Sequence, residues 1–261
     1  MKILALDTST TALGVALLED EQLVVESITN LKINHSIKLM PTVGEVFATA
    51  GWQPTDIDLV VVAKGPGSYT GLRVGVTTAK TFAWTLGIPV VAVSTLETMA
   101  YPLRHYEGAI VPIIDARRGE VYSGLFSGSR VDVCNGDNVA GGVDFRGKFS
   151  VDLLVELAPE RIMPLVDWLA EIKEIILAGP NERKPALVVG EGIAKHLPLL
   201  EVTEFVDLAA ADFAFPRPGV LGLIGYLRFL RGEPADLHSL TPTYLQLAYA
   251  EKLKKVGKAS D

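Results

Sequence analysis

Between Leu59 and Val93 the chain spells out one complete unit of α/β architecture, and this limits the possible folds most. Leu59 to Ala63 is a continuous apolar run of the kind that forms a strand covered on both faces. Gly65-Pro66-Gly67 ends it. From about Thr70, Leu72, Val76, Ala79, Ala83 and Leu86 recur on one side of a 3.6-residue period. Gly87 and Pro89 stop that helix, and Val90 to Val93 forms the next buried strand. Strand, helix and strand in this order require a parallel pair with the helix crossing one face.

The flanking sequence extends this unit. Ile3 to Leu6 reads as a strand broken by Asp7-Thr8-Ser9-Thr10-Thr11, and Gly14 to Leu18 and Gln22 to Ser27 as two more strands around a Glu19-Asp20-Glu21 turn. Leu39, Val43, Val46, Phe47 and Ala50 mark a helix. Pro41 lies within it, so that helix either begins at Pro41, where the missing N–H costs nothing, or begins near Ser36 and kinks. The pattern then restarts: Ala109 to Ile114 and Val121 to Phe126 are strands joined by an Arg117-Arg118-Gly119-Glu120 turn. Ser127 to Lys148, rich in Gly and Asp, is predicted to be the least regular part. Beyond it come a helix over Leu165 to Ile175, a strand over Ala186 to Val189, Gly190-Glu191-Gly192 leading into a short helix, and a helix marked by Val220, Ile224 and Leu227. The tail beyond Tyr249 is predicted to be a solvated end.

Composition excludes several functions. With 24 Lys and Arg against 31 acids, the formal net charge is −7. That sign opposes stand-alone binding of a polyphosphate, which rests on neutralising phosphates. The single cysteine, Cys134, excludes an internal disulfide and a Cys-cluster zinc site, and reads as a small hydrophobe. The apolar start is too short for a signal-peptide core, and no stretch of about 18 apolar residues could span a membrane. A cytoplasmic location is expected.

Three motifs could carry chemistry. Asp7-Thr8-Ser9-Thr10 could hold a phosphate and a magnesium-bound water, or be an ordinary Asx/ST turn. Gly65-Pro66-Gly67-Ser68-Tyr69-Thr70-Gly71-Leu72-Arg73-Val74-Gly75 could aim backbone N–H groups at an anion, or serve close helix approach. It is neither a Walker loop nor a dinucleotide fingerprint: no Gly-Lys-Ser/Thr follows and no acid appears before Glu97. Asp115-Ala116-Arg117-Arg118-Gly119-Glu120 opens the second half as Asp7 opens the first. His35, His105, His196 and His238 are scattered, with no pair at i, i+4 to hold a metal. Between Gly65 and Leu96 only Arg73 and Lys80 are charged, so that helix needs cover beyond one sheet. Val74, Gly75, Thr78, Phe82 and Trp84, with Phe47 and Trp52 of the preceding helix, suggest either burial under a second lobe or a helical interface with another protein.

Several of these residues resemble one family. Leu4-Ala5-Leu6-Asp7-Thr8-Ser9, Asn34-His35-Ser36 with Leu39 and Pro41, the run Gly65 to Gly75, Val93-Ser94-Thr95-Leu96-Glu97, and Asp115 through Tyr122 resemble the TsaB (YeaZ) family in type and order. The match is close from Met1 to about Phe126 and looser beyond, where Gly190-Glu191-Gly192, Pro216 and Pro242-Thr243-Tyr244-Leu245 fit in position.

The resemblance implies an actin-like (ASKHA, RNase H-like) α/β fold of two lobes, each a mixed sheet flanked by helices. The first lobe would hold residues 1–100 and about 213–250, the second 101–212, with 251–261 as a tail. It implies an accessory role in attaching a threonylcarbamoyl group to N6 of adenosine 37 in tRNA. The catalytic subunit there is TsaD, with TsaE as an ATPase, a homodimer when TsaD is absent, tRNA reached only through the complex, no membrane and no cofactor of its own. TsaD has two metal-binding histidines four apart on its first helix; His35 matches the first, but Leu39 stands at the second. The partner interface is expected at His35, Leu39, Val43, Val46, Phe47, Arg73, Val76, Ala79, Phe82 and Ala83, and a remnant nucleotide cleft at Asp7, Thr8, Ser9 and Asp115. The competing reading is an autonomous phosphotransferase or peptidase working from the Asp7/Asp115 cleft. A third is a simple homodimeric binding protein.

Overall fold

In the first half the strands are β1 (Lys2–Asp7), β2 (Leu13–Glu19), β3 (Gln22–Thr29), β4 (Leu59–Gly65) and β5 (Val90–Ser94). They form one sheet in the order β3-β2-β1-β4-β5, with β1 antiparallel to β2 but parallel to β4, and β4 parallel to β5. The computed structural model describes residues 1–31, 34–132, 150–178 and 184–245. Cys134, the tail beyond residue 245 and much of the predicted irregular segment lie outside those residues.

Helices α1 (His35–Ala50) and α2 (Tyr69–Leu86) cover one face of this sheet, and α6 (Pro218–Leu230) covers the other. Strand alternation feeds both layers. Leu4, Leu6, Val60 and Val62 point to α1 and α2, while Ile3, Ala5, Val61 and Ala63 point to α6. Each fully buried Leu or Val contributes about 1.5–3 kcal/mol, which explains why β1 and β4 read as unbroken apolar runs.

Asn34 caps α1 through its side-chain oxygen, which accepts the Ser36 N–H at 3.1 Å, and left-handed Gly51 ends the helix. Of the two starts open to the sequence, the helix takes the earlier one and carries Pro41 inside. A mid-helix proline costs about 3 kcal/mol. Burial of Leu39, Val43, Val46 and Phe47 offsets it.

The second half repeats the plan. Its strands are β6 (Ala109–Arg117), β7 (Glu120–Asp132), β8 (Ser150–Pro164), β9 (Ala186–Val189) and β10 (Val206–Leu208), ordered β10-β9-β6-β7-β8. Counted from β6, this is the 3-2-1-4-5 order of the first sheet, again with a parallel partner (β9) on one side and an antiparallel one (β7) on the other. Helices α4 (Leu165–Ala178) and α5 (Ile193–Leu200) pack on one face and α3 (Thr95–Ala100) on the other. Two lobes built from one duplicated order make the actin-like, RNase H-like architecture.

Of the segment Ser127 to Lys148, predicted to be irregular, the structure describes residues 127–132, and these are strand; beyond the segment, a long strand stands where none was predicted. β7 runs on to Asp132, and β8 is a 15-residue strand paired with it. The second core is centred on fully buried Trp168, whose indole N–H donates to Ser123 Oγ at 2.8 Å. After α6 the chain returns along α2: Ala235 N–H donates to Val90 O, Lys80 Nζ to the carbonyls of His238 and Leu240, and Thr243 N–H to Lys64 O.

Candidate functional site

The ends of β1 and β6 face a cleft of about 1030 Å³ between the halves. One wall holds Thr10, Thr11, His35 and Ser68 to Gly71; the other holds Asp115, Arg117, Arg118, Glu191 and Lys195; Tyr244 lies at the edge. Thr11 donates across it to Glu191 Oε2 at 2.6 Å. Tyr69 and Tyr244 stack with centroids 4.8 Å apart, and the Arg73 guanidinium lies 5.6 Å from the Tyr69 ring centroid.

The expected nucleotide remnant is only partly on this surface. Asp7, Thr8 and Ser9 are each at most 1% exposed. The cause is the glycine run. A Cβ on Gly71 would strike the Thr8 carbonyl, one on Gly67 the Ser9 carbonyl, and one on Gly75 the Thr8 hydroxyl. Without them α2 lies directly on the turn, Ser68 N–H donates to Ser9 O at 2.7 Å, and Thr8 Oγ donates to Gly71 O at 2.6 Å. The glycines therefore serve helix approach, and Thr8 and the Ser9 carbonyl of the turn they cover are bonded to α2 and its cap. Of Asp7, Thr8 and Ser9, only Ser9 lines the cleft.

Asp7 is left in an unusual state. Its Oδ1 accepts the Ser9 N–H (2.8 Å) and hydroxyl (2.6 Å), while buried Oδ2 has no partner. Burial pushes its carboxyl up to about 6 against the opposing pull of those two bonds. Asp115 differs: Lys195 Nζ donates to both its oxygens at 2.8 and 2.9 Å, and the Arg117 N–H donates at 2.9 Å. Burial by itself would raise that carboxyl, but these bonds outweigh it and hold it below the usual range. Asp7 is thus a buried carboxyl shifted up and Asp115 an ion-paired carboxyl shifted down, and no hydrogen bond joins the two. Among the described residues no group of three or more His, Cys, Asp or Glu side chains is placed to hold a metal ion. Nor is any helix among them long and apolar enough to cross a membrane.

The interface expected on α1 and α2 needs correction. Leu39, Val43, Val46, Phe47, Val76, Ala79 and Ala83 are 0–5% exposed and form the core against the sheet. Phe82 is half-buried against the same core, and His35 Nε2–H donates to Thr10 O at 2.9 Å. Arg73 does face outward. Helical periodicity marks the core stripe, so residues chosen from that stripe are the ones a partner cannot touch. The outward stripe of α1 is Ile37 (66% exposed), Met40 (51%), Gly44 and Ala48; that of α2 is Arg73, Thr77, Thr81 and Trp84 (74%). Its signal was present as a second apolar series at i, i+3, i+7 and i+11. Lys195 and Glu191 carried no such signal, since their partners lie 80 and 180 residues away.

Comparisons with known proteins place these features. The family model described as "TsaD: tRNA N6-adenosine threonylcarbamoyltransferase" matches residues 24–143. The solved structure "YeaZ from Pseudomonas aeruginosa" superposes with a TM-score of 0.68 at 25% identity, over 94% of this chain and 99% of that one. The Escherichia coli "tRNA threonylcarbamoyladenosine biosynthesis protein TsaB" is 40% identical over 47% of this chain and 53% of its own length. The Bacillus subtilis protein of the same name is 41% identical over 255 residues, 96% of each chain. With identity at that level along nearly the whole length, and the same two-lobed fold, this chain belongs to the TsaB family.

Proposed function

We propose that the chain is a non-catalytic scaffold subunit that supports TsaD in threonylcarbamoyl transfer to N6 of adenosine 37 in tRNA. The observation that carries this is the outward face of α1 and α2. Ile37, Met40, Gly44, Ala48 and Trp84 are exposed there with few charges between them. A mid-helix glycine costs about 1 kcal/mol relative to alanine, and no atom of this chain lies within 4 Å of where a Gly44 Cβ would be. Its smallness therefore has no use inside the subunit; it keeps that spot flat for a second helix to approach. A mostly uncharged face with a protruding Trp has the composition of an interface core. TsaD is the partner favoured by the match of this chain to the TsaD model, because related folds present related helix pairs. The same face serves a homodimer when TsaD is absent. TsaE and tRNA join only through the complex, in keeping with the net charge of −7. The first lobe is taken as residues 1–100 with about 213–250, and the second as 101–212.

Three features of the cleft and of α1 weigh against the competing enzymatic reading. Asp7 is buried, Asp115 is ion-paired with Lys195, and position 39 of the expected metal pair is a core leucine. The chain works without a cofactor in this reading.

Pull-down with purified TsaD tests it. Met40→Glu and Trp84→Ser should abolish capture while leaving the unfolding midpoint unchanged, whereas Val76→Glu should unfold the subunit. Undiminished capture by both outward variants would move the interface elsewhere. Threonylcarbamoyl transfer or ATP turnover by the isolated chain would defeat the scaffold reading outright.

A further inference from the structure

The cleft between the halves holds a surplus of hydrogen-bond donors that a scaffold has no use for. Its acceptors are largely committed. Asp115 accepts from Lys195 Nζ at both oxygens and from the Arg117 N–H. Glu191 Oε2 accepts the Thr11 hydroxyl, and Asn34 Oδ1 accepts both the N–H and the hydroxyl of Ser36. The carbonyls of Ser9 and Thr10 accept the Ser68 N–H and His35 Nε2–H.

The donors are not committed. Helices α2 and α5 both begin on this cleft, from opposite walls. Ser68 caps α2 through the Gly71 N–H, which leaves the N–H groups of Tyr69 and Thr70 with no acceptor among the described residues. No side chain caps α5. Its Ile193 and His196 N–H groups reach the carbonyls of Gly190 and Gly192, but those of Ala194 and Lys195 reach no described acceptor. The exposed Arg117 guanidinium has none among the described residues either. Arg117 and the start of α5 are neighbours, since Asp115 bonds to both the Arg117 N–H and Lys195. Charge points the same way: Arg117, Arg118 and Lys195 line the cleft against Asp115 and Glu191, in a chain whose net charge is −7.

We propose that the cleft binds a phosphate monoester, its phosphate held by Arg117 and the open N–H groups of α5, with those of α2 facing it from the other wall. A carboxylate has two oxygens and would leave most of these donors empty, whereas a phosphate brings three and a second charge. The cleft volume of about 1030 Å³ is far more than a bare ion fills and suits a molecule of drug size. Tyr244, stacked on Tyr69 and 43% exposed, offers a ring to the organic part. Binding here needs no turnover and is independent of which protein covers α1 and α2.

The test is titration of the full chain with phenyl phosphate at constant ionic strength, followed by backbone amide shifts in NMR. Saturable shifts should centre on Tyr69, Thr70, Ala194 and Lys195. Inorganic phosphate, which lacks the ring, and benzoate, which lacks the third oxygen, should each bind about threefold more weakly or worse. Arg117→Gln should weaken phenyl phosphate binding about tenfold. Asp115→Asn, which removes an acid and releases Lys195, should tighten it about fivefold. Lys184→Gln, at a cation paired with Glu107 away from the cleft, should leave it unchanged. Shifts that grow linearly with concentration, or a Kd that Arg117→Gln does not raise, would overturn the site. Benzoate binding as tightly as phenyl phosphate would overturn the phosphate assignment. Should Arg117→Gln not fold, an unmoved or weakened Kd in Asp115→Asn would overturn the site equally.

Discussion

The two halves run through the same strand order, yet they finish the Asp-bearing turn after their first strand in opposite ways. In the first half α2 lies forward, over the residues that follow Asp7. In the second, the start of α5 lies back: a Cβ on its N-cap Gly192 would come within 3.0 Å of the carbonyl of Ile113, two residues before Asp115. One register of helix approach buries an acid and the other leaves its counterpart open to Lys195. Equivalent positions in a duplicated fold therefore have different chemistry, and the placement of glycines decides which is which. The half with the covered turn is also the half whose helices carry the outward apolar face.

The largest expected effect breaks that comparison at its cause. Gly71→Val should push α2 off Thr8 and destabilise the protein by about 3 kcal/mol or more in urea unfolding. Gly119→Ala, in the open turn of the second half, meets no neighbour and faces only its positive φ of 79°. About 1 kcal/mol is expected there. Equal losses at the two glycines would remove the distinction between a packed turn and an open one.

Next comes the pH response of the two acids. The folded value of Asp7 lies above its ordinary 3.8, so its contribution is present below about pH 4 and lost as pH rises through about 6. Asp7→Asn should therefore flatten the stability curve across that window and stabilise the protein at pH 8 by about 1–2 kcal/mol. A steepened curve would mean that Asp7 is held ionised. Asp115 has the opposite sign: its folded value is depressed, so its contribution is present at neutral pH and lost in acid. Because its pair with Lys195 is partly solvated, Asp115→Asn should cost less than about 1 kcal/mol at pH 7 in the same unfolding assay.

Much of the fold was legible because it rests on local rules. The apolar runs at Leu59–Ala63 and Val90–Val93, the left-handed Gly87, and the helix over Leu165 announce themselves within a few residues. β8 did not, since its pairing with β7 is set by a partner strand rather than by its own alternation. The site was less legible. Asp7 and Asp115 were recognised as counterparts, but burial of one and pairing of the other depend on groups far away in sequence. The helices of the outward face were identified from their surplus of apolar residues, but most residues named lie on the stripe the sheet buries, because composition counts apolar residues without saying which side of the helix they take.

The sequence alone determined the α/β class, the repeat of strand-Asp-turn-strand and the positions where a helix must lie close to a turn. These follow from periodicity and from the conformational and steric properties of glycine. Only the tertiary structure decided which face of α1 and α2 the sheet consumes and which carboxylate loses its solvent. Burial and electrostatics are properties of what surrounds a residue, and those surroundings are assembled from parts of the chain that no local pattern connects.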